Sequence, residues 1–176
     1  MNWTELLKDE IELIYGTTAR LLDRVDPSGL DWKPLSGSNW MTTGQLLRHI
    51  TNACGDGCKG FVSGDWGLPT GKKIEDLAPE ENLPPAEKLP AIESVAEAKD
   101  LLRRDKALAL QMIDEAGENN LANKEVAAPW AADVSRPLGR HLLQMVRHLD
   151  RHKSQLFYYL KLQGKPVSTA DLWGSW

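Results

Sequence analysis

The chain has 176 residues, 41% of them apolar, and 21 Lys and Arg against 25 Asp and Glu give it a net charge of −4. That length and apolar content predict a single globular domain, residues 1–176, with a substantial buried core. No basic run or stripe stands out against the acidic total, which argues against a nucleic-acid partner. No apolar run approaches the ~18 residues of a membrane span, and MNWTELLKDEIELIY places acids where a signal peptide has its basic n-region, so a cytoplasmic protein away from the membrane is expected. The two cysteines are expected as thiols.

Four helical patterns follow in chain order. Asn2 and Glu5 form a capping pair that opens a first helix to about Arg24, with Leu7, Ile11, Ile14, Leu21 and Leu22 on its buried stripe. The segment DPSGLDWKPLSGSNW ends it. Thr42 and Gln45 repeat the signature for a second helix, from about Thr43 to Val62. Ser94 and Glu97 open a third that ends near Glu115, before Gly117, and Ser135 with Pro137 in the first turn opens a fourth that continues to Gly164. No strand-period segment competes with these.

The second and third helices are joined by GDWGLPTGKKIEDLAPEENLPPAEKLPAIE, about thirty residues with five prolines, against the ~2–8 residues that join antiparallel neighbours. Such a segment can run the length of a bundle. The expected fold is therefore all-α, a four-helix bundle with a long crossover between helices two and three, which then run parallel.

Three of the four histidines, His141, His148 and His152, lie in HLLQMVRHLDRHKSQLFYYL at spacings of seven and four. At ~100° per residue these spacings put all three on one helix face, together with Met145, Gln155 and Tyr159. An inward pair at i and i+4, ~6 Å apart along the axis, can grip one divalent ion; a hydrogen-bonded core histidine fits the same position. His49, on the second helix, supplies a third imidazole. Three neutral imidazoles leave a coordination position open, as in catalytic rather than structural zinc sites.

Asp105 falls among Ala98, Leu101, Leu108, Ala109 and Met112 on a face that should be buried, and so needs a partner. A metal-bound imidazole or water would make it an orienting group or general base; an Arg or a helix end is the structural alternative. Asp56, one heptad after His49, has a similar claim, which exposure in ACGDGCKG would answer. Cys54 and Cys58 point away from His49 and are rejected as ligands. Gln155 and Tyr159 line either a pocket or the polar end of a core. The tryptophans Trp3, Trp32, Trp40, Trp66, Trp130, Trp173 and Trp176 fall mostly in loops and at the termini, where they could cap the bundle, wall a cleft or form a dimer interface.

DWKP followed by NWMTTGQLLRHI, the APW before helix four, and HLLQMVRHLDRHKSQLFYYLKLQGKPV resemble the DinB superfamily, also called YfiT-like, of metal-binding four-helix bundles. The resemblance covers almost the whole chain and implies that His49, His148 and His152 hold a divalent metal. His141 matches no family ligand and reads as core or as support to the ligands. Characterised members include transferases that use bacillithiol, mycothiol or glutathione, so the resemblance implies a metal-dependent thiol S-transferase joining a low-molecular-weight thiol to a small electrophile. A metal-dependent hydrolase and a non-catalytic metal-binding protein are the alternatives. Zinc or nickel is the foremost metal, with iron and manganese also accepting imidazole, and a homodimer is expected.

Overall fold

Asn2 accepts the Glu5 N–H and Glu5 returns to the Asn2 N–H, closing a capping box that starts helix α1, Trp3–Leu22, in a computed structural model that describes residues 2–174 and, of Pro79 and Asn82, the backbone. Trp176 lies outside the described residues. Glu118, from another helix, takes the N–H groups of Trp3 and Thr4 as well, so a carboxylate sits at the positive end of α1. The expected stripe of Leu7, Ile11, Ile14, Leu21 and Leu22 is buried.

The second helix departs from expectation. It is two pieces, α2 (Thr43–Ile50) and α3 (Gly55–Ser63), with a break over residues 51–54. Cys54 takes φ −122°, ψ −60°, outside the helical well, and Gly55, Gly57 and Gly60 lower the helix propensity of the piece that follows the break. The following connection holds single 3₁₀ turns at Ile74–Asp76 and Ala86–Lys88 and the one-turn helix α4, Pro79–Asn82.

Helix α5, Val95–Asn123, starts where Ser94 caps Glu97, and its helical geometry breaks at the expected stop. Gly117, at φ 68° and ψ 156°, a conformation open to glycine and strained for other residues, kinks the chain, and a further helical stretch continues to Asn123. The absence of strands is also corrected. Glu125–Ala128 (β1) and Ala131–Pro137 (β2) pair antiparallel. Both are short, and β2 is exposed along most of its length, so neither carries the alternation that marks a half-buried strand. Ser135 faces Ala127 in this ladder and caps nothing; helix α6 begins after Pro137 and spans Leu138–Leu162. A last short helix, α7, is Thr169–Trp173.

Pairwise contacts give the directions. Lys8 meets Asp114 and Lys99 meets Asp23, so α1 and α5 are antiparallel. Phe61 stacks on His141 while Tyr159 bonds the Met41 carbonyl, which sets α2 and α3 antiparallel to α6. Ile92 N–H meets Gly44 O, and further along Gly55 N–H meets Asp105, so α2, α3 and α5 advance in the same direction. One hydrophobic core runs through them, with Leu7, Leu46, Leu47, Leu102, Leu142 and Leu156 among its members. The chain is mostly helical, and no described helix is long and apolar enough to cross a membrane.

Candidate metal centre

The α2 piece carries His49 and the middle of α6 carries His148 and His152, and antiparallel packing brings the three rings together. His49 Nε2 stands 3.3 Å from His148 Nε2 and 3.0 Å from His152 Nε2. All three are half-buried, with one ring nitrogen each inside a span of 4.8 Å.

Two of the tautomers follow from what the other ring nitrogens touch. His148 Nδ1 lies 3.0 Å from the Ala53 carbonyl oxygen and His152 Nδ1 lies 3.1 Å from Gln155 Oε1. Both oxygens only accept, so each Nδ1 carries the proton and each Nε2 presents a bare lone pair. His49 Nε2 meets these two lone pairs either as a hydrogen-bond donor or, with its proton on Nδ1, as a third lone pair turned toward a shared cation. Two nitrogens held ~2.0–2.1 Å from one ion at a tetrahedral angle would stand about 3.3 Å apart. The two separations from His49 are close to that spacing, and the three donors suit a divalent ion.

Electrostatics support the neutral form. Burial, followed by the charges of His152 and His148, lowers His49 from 6.5 to about 4. Burial also lowers His148 and His152, against the opposing hydrogen bonds to Ala53 and Gln155. The imidazoles are therefore deprotonated at neutral pH, the state a metal needs. Among the described residues no carboxylate or thiolate joins the three half-buried rings.

Gln155 links this centre to an aromatic wall. Its amide nitrogen donates to the Tyr159 hydroxyl at 3.3 Å, and that hydroxyl donates to the Met41 carbonyl at 3.0 Å. Trp32 and Trp40 stand edge-on to the Tyr159 ring, with centroids 5.2 and 6.3 Å away.

Asp105 is buried as expected, but its bonds lie elsewhere. Tyr15 donates to Oδ2 at 2.6 Å and Gly55 N–H to Oδ1 at 2.9 Å. Its partners are thus a phenol and a helix end, and among the described residues no histidine bonds it. Burial raises its carboxyl to about 6, against the lowering pull of the Tyr15 and Gly55 bonds. Tyr15 is pushed far up by burial, with Cys54 and Asp105 adding to it. Cys54 and Cys58 are buried, their sulfurs 4.0 Å apart. Asp56 is exposed in the first turn of α3. His141 is core: Nε2 bonds the Val126 carbonyl at 2.8 Å and the ring stacks on Phe61.

Tyr15 and the Ala53 carbonyl were not foreseen. Tyr15, one turn past Ile11 on the buried stripe, offered a signal, since a buried phenol needs a polar partner; a backbone carbonyl offers none. Comparison with the curated proteins finds no match. A family model described as the DinB superfamily matches residues 10–156, and with that match over most of its length the chain belongs to the DinB superfamily.

Proposed function

We propose that this chain is one DinB-like domain, a four-helix bundle with a crossover between α3 and α5, whose His49, His148 and His152 hold a divalent ion, zinc or nickel foremost, for transfer of a low-molecular-weight thiol to a small electrophile. The observation that carries the reading is the donor set: three neutral imidazoles, half-exposed, with no anionic side chain among them. An ion held there supplies an uncompensated positive charge that favours thiolate over thiol at neutral pH. In the overall reaction a sulfur–carbon bond forms, the bond from that carbon to its leaving group breaks, and the thiol proton leaves with that group.

The residues around the ligands have supporting roles. Ala53 O and Gln155 Oε1 fix the tautomers of His148 and His152. Trp32 and Trp40, half-buried and packed edge-on to the buried Tyr159, offer an apolar wall for the electrophile. Asp105 acts as an orienting group through the N-terminus of α3, because its oxygens are engaged by Tyr15 and Gly55. The chain pairs as a homodimer through exposed apolar side chains such as Trp130, Tyr158 and Leu162, which light scattering would read as about twice the 19.6 kDa chain mass.

The test is spectroscopic and kinetic together. Cobalt-substituted protein given bacillithiol, mycothiol, glutathione or cysteine should develop a sulfur-to-metal charge-transfer band with at least one of them, and conjugation to an electrophile should follow. His152→Ala should lose both. No band and no turnover across the panel, with the metal still bound, would end the thiol reading.

A further inference from the structure

The outer face of α6 carries a second pattern. Arg140, Arg147 and Arg151 each directly precede one of His141, His148 and His152. They therefore repeat the histidine spacing about 100° further round the helix, on a stripe of their own. With Arg136 from β2 they line a groove of about 330 Å³ whose apolar part is Trp3 and Leu143. None of the three clustered histidines lines it.

Four guanidiniums meet here without a counter-charge. Among the described residues none of them forms an ion pair; Arg24 pairs with Asp171 and Arg103 with Asp100, and although Arg20 and Arg104 are also without an ion pair, neither lines this groove. The chain as a whole is acidic, so carboxylates to neutralise them are plentiful, yet among the described residues none lines the groove. Every cation lining it is an arginine, the side chain whose planar fork grips phosphate through two parallel hydrogen bonds.

From this we infer that the groove between α1 and α6 binds a small molecule carrying a chain of phosphates, held by Arg136, Arg140, Arg147 and Arg151 at a site separate from the metal centre. The size supports a small molecule, since pockets for such ligands begin at ~300 Å³. The charge supports a chain of phosphates over a single one. Arg140 and Arg151 are eleven residues apart, about 16 Å of helix, so their forks reach in from opposite ends of the groove. Trp3 and Leu143 give the groove an apolar side next to the four exposed arginines. The inference does not depend on the thiol reading.

Calorimetric titration of the full chain at about 0.15 M salt tests it with sodium tripolyphosphate, ATP, inorganic phosphate and citrate as probes. Tripolyphosphate should bind one to one, at least about tenfold tighter than phosphate or citrate, as several bidentate Arg contacts require. R140Q/R147Q should weaken it by about tenfold or more, while R103Q/R104Q, the same charge change on α5, should leave it unaltered. H148A should retain it. ATP binding tighter than tripolyphosphate would identify a nucleotide, with Trp3 beneath its base, and equal binding a bare phosphate chain; either supports the site. Equal loss in both arginine pairs, equal affinity for citrate, or loss in H148A would overturn it. Circular dichroism of each variant separates lost binding from lost folding.

Discussion

His148 Nδ1 stands 3.0 Å from the carbonyl oxygen of Ala53, a residue in the break between α2 and α3. In a continuous helix that carbonyl would be taken by the N–H four residues later. The same break releases the Gly55 N–H, which Asp105 accepts at 2.9 Å. The interruption thus serves both sides of the centre: one backbone group orients an imidazole, and another ties the segment to α5.

Gly55→Ala should damage this junction. A β-carbon on Gly55 would stand 2.6 Å from Asp105 Oδ1 and closer still to the Asp105 carbonyl, which as helix backbone cannot move aside. Urea unfolding should show a loss of about 1–3 kcal/mol, as overpacking does, together with lower metal content. Gly57→Ala would press on Met145, a flexible side chain, and should be milder. Equal stability of the two variants would remove the special role given to the break.

Asp105→Asn and Asp105→Ala separate charge from contact. Asn keeps an acceptor for Gly55, while Ala leaves the Gly55 N–H and the Tyr15 hydroxyl without partners and should be less stable than Asn by about 2–3 kcal/mol. The pH dependence has two opposing parts. His49, lowered to about 4, contributes stability that is full above its ordinary 6.5 and is lost as pH falls toward 4, because the unfolded chain takes the proton first. Asp105, raised to about 6, works the other way: the folded chain takes a proton as pH falls through 6, before the unfolded chain does. Metal-free Asp105→Asn should therefore lose more stability between pH 6.5 and 4 than metal-free wild type, in denaturant melts at each pH. A parallel pair of profiles would refute that balance.

Much of this was legible in the sequence because it rests on local chemistry. The capping pairs Asn2–Glu5 and Thr42–Gln45 and the histidine spacing on α6 are short-range signals, and each stands in the fold as a cap or as a shared face. What escaped depends on distant partners. The break at residues 51–54 is held by α5 and α6, so the apolar period of QLLRHI running into the next segment reads as one helix. The β1–β2 hairpin is too short and exposed to show a period of two. The arginine stripe was concealed in an acidic total, since net charge averages over faces that folding separates.

The two thiols should react slowly. Cys54 and Cys58 have no exposed surface, and Cys58 is pushed up by its bond with Cys54 and by burial, so Cys58 presents no thiolate at neutral pH and a reagent cannot reach either sulfur. Alkylation by iodoacetamide should be at least about tenfold slower in the native chain than in urea. Rapid native labelling, read by mass spectrometry, would show that the α2–α3 junction opens readily.

Gln155→Leu tests the support of the proposed metal centre without touching any of the three clustered histidines. Gln155 Oε1 holds the proton of His152 on Nδ1, and its amide nitrogen is in turn fixed by Tyr159. Without that acceptor the His152 ring is free to rotate and to move its proton to Nε2, the nitrogen that faces His49. Partners of this kind contribute about 10–100-fold to metal affinity, so chelator competition on Gln155→Leu should show a loss of that order, with helix content intact by circular dichroism. Tyr159→Phe leaves Oε1 in place and loosens only the far end of the amide, so its loss should be smaller. Wild-type affinity in Gln155→Leu would mean that packing alone aims His152, and the chain from Met41 through Tyr159 to the imidazole would then belong to the core rather than to the site.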